Sequence, residues 1–307
     1  MIQAVTITNH LDESIRLEMF HPEKSGFIIK KITGLGPVKA DVNFTELATN
    51  DGAKKNSARL NSRNIVITLE FMQNPGGPTI EDLRQMTYKY FPNKKEVNFL
   101  IETDNRICET MGTIESNEPD IFSPNEGCVI SIMCEDPYFY SAGENGTNQT
   151  IFYGTEPLFE FPFSNESLTE NLIEFGDIKN RTEGTIYYDG DAEVGVTITI
   201  HAVGEASGLV IYNTGTREIM RINDTKLIAL MGSGIQAGDE ITITTSKGLK
   251  GIKMLRAGKT TNIINVLEKP IKWFQLAKGD NVFAYTASAG LTNLQFRIEN
   301  KIVYLGV

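Results

Sequence analysis

The chain has 307 residues, 40% of them hydrophobic and 22% charged, and its 39 acidic residues outnumber 29 basic ones for a formal charge of −10. Those proportions are ordinary for a globular protein and exclude general disorder. The acidic surplus excludes tight nucleic-acid binding, because neutralising phosphate takes a lysine and arginine excess.

The length predicts two domains of roughly 150 residues, each able to bury about two-thirds of its unfolded surface. Three cysteines, an odd number, argue against a disulfide framework and for synthesis in a reducing compartment. At the N-terminus, Met1 to His10 alternates apolar and polar residues, and no segment approaches ~18 consecutive apolar residues. Neither a signal peptide nor a membrane span is expected.

Val38 to Phe44 reads as a strand, as does Asn64 to Phe71, where Ile65, Ile67, Leu69 and Phe71 alternate with smaller or polar residues. Between them, Glu46 to Arg63 is long and polar. A hairpin needs only about two to five loop residues, and longer structureless connections are usually functional or disordered. The segment is therefore expected to be an arm ordered by a neighbouring subunit, a plain surface loop being the alternative. Its charges, Glu46, Asp51, Lys54, Lys55, Arg59 and Arg63, are the candidate interface residues. Mixed signs suit docking onto another protein.

One segment has a helical period. Pro78-Thr79-Ile80-Glu81-Asp82-Leu83 opens with a Thr-x-x-Asp cap, apolar residues recur at Ile80, Leu83, Met86 and Tyr90, and Pro92 ends the run. Val97, Phe99 and Ile101 resume the strand period. Cys128 and Cys134 share a strand face with Ile130 and Ile132, so both are expected to be buried thiols acting as small hydrophobes.

Tyr140 to Thr150 is small and polar, the composition of a linker. It divides the chain into a first domain at 1–140, a linker at 141–150 and a second domain at 151–307. Beyond it the pattern is almost wholly β: Val196, Ile198 and Ile200 alternate with Thr197, Thr199 and His201, and Ile241 and Ile243 with Thr242 and Thr244. Asp189-Gly190, Gly238-Asp239 and Gly279-Asp280-Asn281 are expected hairpin turns, and short, closely spaced strands favour an antiparallel sandwich.

Catalytic chemistry finds no footing. His10, His21 and His201 are far apart, with no His-Glu-x-x-His or Cys-x-x-Cys pattern for zinc. Gly204-Glu205-Ala206-Ser207-Gly208 has its serine in the wrong place for a nucleophile elbow. Asp189-Gly190-Asp191 lacks the further carboxylates of a calcium loop, and Gly232 and Gly234 precede a β pattern, so no phosphate cradle is implied. No catalytic, cofactor or metal residues are assigned, and no enzyme is expected.

Cys134-Glu135-Asp136-Pro137-Tyr138-Phe139 resembles the motif that closes the first domain of siphophage distal tail proteins. Tyr188-Asp189-Gly190-Asp191, Gly195 to Ile200, Ile211 to Thr216, Gly238 to Ile243, Phe274 to Asn281 and the terminal Tyr304-Leu305-Gly306 look like the successive strands of that family's second domain. The resemblance covers nearly the whole chain. It implies a mainly β, α+β protein: a split-barrel, tail-tube-like first domain with one helix and a long arm, then a galectin-like β-sandwich. It further implies a homo-hexameric ring at the virion tail tip, assembled in the host cytoplasm. The ring would join the tail tube protein to the tail-associated hub protein and a receptor-binding protein, with DNA passing through its lumen and no membrane contact. The rival reading is a carbohydrate-binding adhesin module, for which Trp273 is the single tryptophan available as a stacking platform. Phe152 to Thr182 is longer than the family pattern leads one to expect.

Overall fold

The structure is a computed structural model and describes residues 1–46, 51–143, 146–156 and 177–307. The chain forms two compact units, residues Met1–Gly146 with Val303–Val307, and Thr147–Ile302.

Unit 1 is built from strands β1 (Ile2–Thr8), β2 (Ser14–Glu18), β3 (Phe27–Thr33), β4 (Ala40–Glu46), β5 (Ala53–Leu60) and β6 (Arg63–Phe71). Helix α1 (Ile80–Tyr90) follows, then β7 (Glu96–Thr103), β8 (Ile107–Asp120), β9 (Gly127–Cys134) and β10 (Phe139–Ser141). Its main sheet runs β2-β1-β7-β8-β9-β6-β3, antiparallel at every pairing and not closed into a barrel. Alternation drives burial: Ile65, Ile67 and Leu69 face inward opposite Ile132, Ile130 and Cys128, while Val66 and Thr68 on the other face remain half-exposed. Ile7, Phe99 and Phe27 complete this core, each buried side chain contributing about 1.5–3 kcal/mol.

Helix α1 starts where its sequence predicts. Thr79 caps it by accepting from the Asp82 amide at 3.2 Å, and the Asp82 carboxylate accepts from the Thr79 amide at 2.9 Å. Leu83 and Thr87 face the sheet and are fully buried. Cys128 and Cys134 are buried and free as expected, and Cys108 is buried and free as well.

The expected second domain at 151–307 is modified at both ends. Residues 303–307 belong to unit 1, where β10 pairs with the final strand through Phe139↔Tyr304 and Tyr140↔Val303. In the segment expected to be a linker, Ser141 is a buried strand residue and Thr147–Ile151 already pairs with Arg297–Lys301. Small polar composition misleads there because backbone ladders carry both strands.

Unit 2 contains β11 (Thr147–Ile151), β12 (Tyr153–Glu156), β13 (Asp177–Asn180), β14 (Glu183–Tyr188), β15 (Val194–Gly195), β16 (Thr197–Ala202), β17 (Val210–Asn213) and β18 (Glu218–Arg221). After helix α2 (Asp224–Met231) come β19 (Glu240–Thr244), β20 (Gly251–Arg256), β21 (Lys259–Asn262), β22 (Gln275–Leu276), β23 (Gly279–Thr286) and β24 (Leu294–Lys301), and unit 1 regains the chain at β25 (Val303–Tyr304). A six-stranded sheet, β11-β24-β16-β19-β20-β21, and a four-stranded sheet, β14-β23-β17-β18, meet through their apolar faces. Tyr285 of the smaller sheet stacks on Phe296 of the larger with ring centroids 4.0 Å apart, and Phe152 meets both edge-on. The excess length at Phe152 to Thr182 falls largely outside the described residues.

Two expectations for this half need correcting. Helix α2 interrupts the β pattern: Asn223 caps it by accepting from the Lys226 amide at 3.0 Å, and Gly232, at φ 83°, ends it in the left-handed conformation. None of the three expected hairpin turns joins neighbouring strands: Gly238 lies in a turn between α2 and β19, Asp189-Gly190 follows β14 as irregular chain, and Gly279 to Asn281 is the start of β23 itself. Tyr188, before Asp189-Gly190, pairs with Gly279 of β23, and β19, after Gly238-Asp239, pairs with β16 and β20. The two-residue hairpin turn is Ala257-Gly258 between β20 and β21, both at positive φ.

Candidate assembly interface

The segment from Glu46 to Arg63 is no structureless loop. Ala53–Leu60 forms β5, paired with β4 from Ala40↔Leu60 to Glu46↔Ala53, so the connection is only residues 47–52, of which 47–50 lie outside the described residues. The result is a two-stranded ribbon in which nearly every residue is exposed. Among the described strands β4 and β5 pair only with each other.

The pairing sorts the ribbon into two unlike faces. One carries Asp41, Asn43, Thr45, Ser57 and Arg59, and it satisfies itself: Asn43 Nδ2 donates to Ser57 Oγ at 3.1 Å, Asn56 reaches Thr45, and Arg59 lies 3.5 Å from Asp41. The other carries Ala40, Val42 and Phe44 opposite Leu60, Ala58 and Lys55, with Phe44 60% exposed. An isolated hairpin is marginal in water. An aromatic residue on its exposed face is the kind of group that a partner covers.

The six expected interface charges therefore divide. Glu46, Asp51, Lys54 and Lys55 are exposed on the ribbon, and Arg59 is exposed but engaged with Asp41. Arg63 is 1% exposed and cannot face a neighbour. Its Nε and Nη2 donate to the Pro137 carbonyl at 2.9 and 2.6 Å, Nη2 also to Leu305 at 2.7 Å, and Nη1 to Gly36 at 2.7 Å and to Gly34. The guanidinium lies over the Phe139 ring. Burial pushes its pKa down while Cys134 and Asp136 pull it up. A guanidinium keeps its charge throughout the working range, so the carbonyl dipoles and the ring face hold a buried cation.

Around Arg63 the motif at Cys134 to Phe139 acquires a physical meaning. Asp136 Oδ1 accepts from the Tyr138 amide at 3.1 Å and Oδ2 from the Tyr140 hydroxyl at 2.6 Å, which shapes the turn that presents Pro137. Residues missed from sequence include Ile121 and Phe122 between β8 and β9, the latter 95% exposed. Adjacent large apolar residues beside Pro124 and Asn125 were the available signal.

Other candidates stay apart. Among the described residues no group of three or more histidine, cysteine or acidic side chains could hold a metal ion, and Asp189 instead lies 3.3 Å from Lys278. A shallow hollow of about 310 Å³ in unit 2 is lined by Glu205, Ser207, Ser233 and Gln236 among others. Trp273 is half-buried next to the buried Phe274. No helix among the described residues is long and apolar enough to cross a membrane.

No protein-family model and no curated protein matches the sequence. Solved structures do. The Dit protein of phage SPP1, described as a paradigm of the hub adsorption apparatus in phages that infect Gram-positive hosts, superposes with a TM-score of 0.63 at 12% identity, over 97% of this chain and 99% of that one. Chains of the phage P2 baseplate in its activated conformation give 0.49 with calcium, covering 98% of each chain, and 0.48 with strontium, covering 97% of each, both at 12% identity. The chain shares the fold of the SPP1 Dit protein over nearly its whole length.

Proposed function

We propose that this chain is a structural component of a siphophage tail tip, a homo-hexameric ring joining the tail tube protein to the hub protein and the receptor-binding apparatus. The observation that carries this reading is the fold shared with the SPP1 Dit protein along essentially the full length of both chains. The ribbon supports it independently: a ring repeats one heterologous contact around an axis, and an exposed hairpin with one self-satisfied face and one face that leaves Val42 and Phe44 uncovered is built for such a contact. In this reading the ribbon lies on the adjacent subunit, DNA passes through the lumen, and the protein does no chemistry. It would assemble in the host cytoplasm and reside in the virion tail.

The test is the solution mass of the full chain by light scattering over a range of concentrations, with electron micrographs of the larger species. Six-membered rings are expected. A strict monomer that binds glycans would replace this reading with the adhesin module.

A further inference from the structure

The roots of the ribbon are held by the last residues of the chain. On the way in, the carbonyls of Gly34 and Gly36 accept from Arg63, and the Leu35 carbonyl accepts from the Val307 amide at 3.0 Å. On the way out, Arg63 lies three residues beyond β5 and donates to the Leu305 carbonyl. Gly306 sits so close to the incoming root that a Cβ there would lie 2.9 Å from the Leu35 carbonyl oxygen. Tyr304 is fixed in turn by its pairing with Phe139 and by Arg106, whose guanidinium lies 4.7 Å from its ring centroid.

A ribbon that pairs with no other described strand can pivot about its two roots. Hydrogen bonds that tie both roots to one segment remove that freedom. We propose that Val303–Val307 is a clasp that sets the direction in which the ribbon leaves unit 1, with Arg63 as its positioning residue; the benefit to assembly rests on the docking role proposed above. Fixing the direction beforehand lowers the entropy lost on docking. Loosening the clasp therefore weakens the ring without altering the face that docks.

The experiment uses the full chain with spin labels at Ser57→Cys, on the ribbon's self-bonded face, and at Glu96→Cys, both exposed positions, diluted with unlabelled chain. The three native cysteines are buried and do not compete for label. Pulsed electron resonance is read for this pair alone, with Gly306→Val, and with the chain ended at Tyr304. A single narrow distance is expected in the first, and its loss in both variants, with amide protection in β6 and β9 unchanged and the mass shifted toward monomer. Unchanged distances in both variants would overturn the clasp. So would a general loss of protection in β6 and β9, which would make the segment a part of the core. Lost distance order with an unaltered ring would uphold the clasp and count against the docking role alone.

Discussion

The guanidinium of Arg63 lies 4.2 Å from the centroid of the Phe139 ring. This contact joins the residue that follows the ribbon to the residue that ends the mid-chain motif. The same guanidinium reaches Leu305 near the end of the chain. Two motifs far apart in sequence thus converge on one buried cation.

Replacing Arg63 with methionine keeps the volume and removes every donor. The carbonyls of Pro137, Gly34, Gly36 and Leu305 lose their shared partner, and each buried acceptor left unmade costs about 1–3 kcal/mol. A net loss of about 3 kcal/mol or more is expected for unit 1, because removing the buried cation also relieves its desolvation. Arg63→Lys should recover only part, since one ammonium cannot span the fork. Calorimetry should show the unit 1 transition moving down, while Trp273 fluorescence, which reports unit 2, keeps its midpoint.

The course of the chain between the units sets a second expectation. Since β25 pairs with β10 and its following residues bond to Arg63 and Leu35, a fragment ending at Phe139 lacks a strand and a hydrogen-bonded segment of unit 1. Residues 1–146 joined to 303–307 by a short glycine linker should unfold cooperatively in urea, with a higher midpoint than 1–139. Equal midpoints would show that the final five residues add nothing to unit 1.

The cysteines give a prediction with a pH sign. Burial pushes the Cys128 thiol up to about 12 and Cys108 to about 11, and raises Cys134 as well. In the unfolded chain these thiols ionise near the ordinary value of about 8.5. Above that pH the folded state binds more protons than the unfolded one, so stability is full below it and declines as pH rises toward the folded values. Alkylation of the native chain at pH 8 should be slow at all three, and denaturant midpoints should fall between pH 8.5 and 10.5. Serine at the three positions should flatten that decline.

Much of this fold is legible in the residues. Ile65 to Phe71 shows its buried face because alternate side chains meet a core, and Thr79 with Asp82 announces α1 because two side chains satisfy orphan amides. The ribbon is not legible in the same way: Ala53 to Leu60 has no β-branched residue and no buried alternation, since its pairing is satisfied by backbone bonds while both faces stay wet. Arg63 reads as one more surface charge because its acceptors are carbonyls 27 to 242 residues away, and carbonyls have no sequence signature. Helix α2 has its Asn cap and terminal Gly, yet eight residues inside a β pattern give barely two turns to recognise.

The ribbon offers two ways to dock, through its exposed lysines or through Val42 and Phe44. If exposed charges held the neighbour, Lys54→Ala with Lys55→Ala would weaken the ring and raised salt would dissolve it, since exposed pairs are worth about 0–1 kcal/mol and are screened. The polar face already bonds to itself through Asn43–Ser57 and Asp41–Arg59, which leaves Phe44 and Val42 as the groups with most to gain from cover. A desolvated aromatic anchor can supply about 2 kcal/mol or more at an interface, and 1.4 kcal/mol is a tenfold change in affinity. Phe44→Asp should therefore shift the ring-to-monomer midpoint by more than about tenfold in concentration, whereas the double lysine variant should shift it by less. Unit 1 should keep its melting transition in both, because Phe44 contributes nothing to the core. Light-scattering mass across a dilution series decides it: a larger shift from the lysines than from Phe44 would assign the contact to charge.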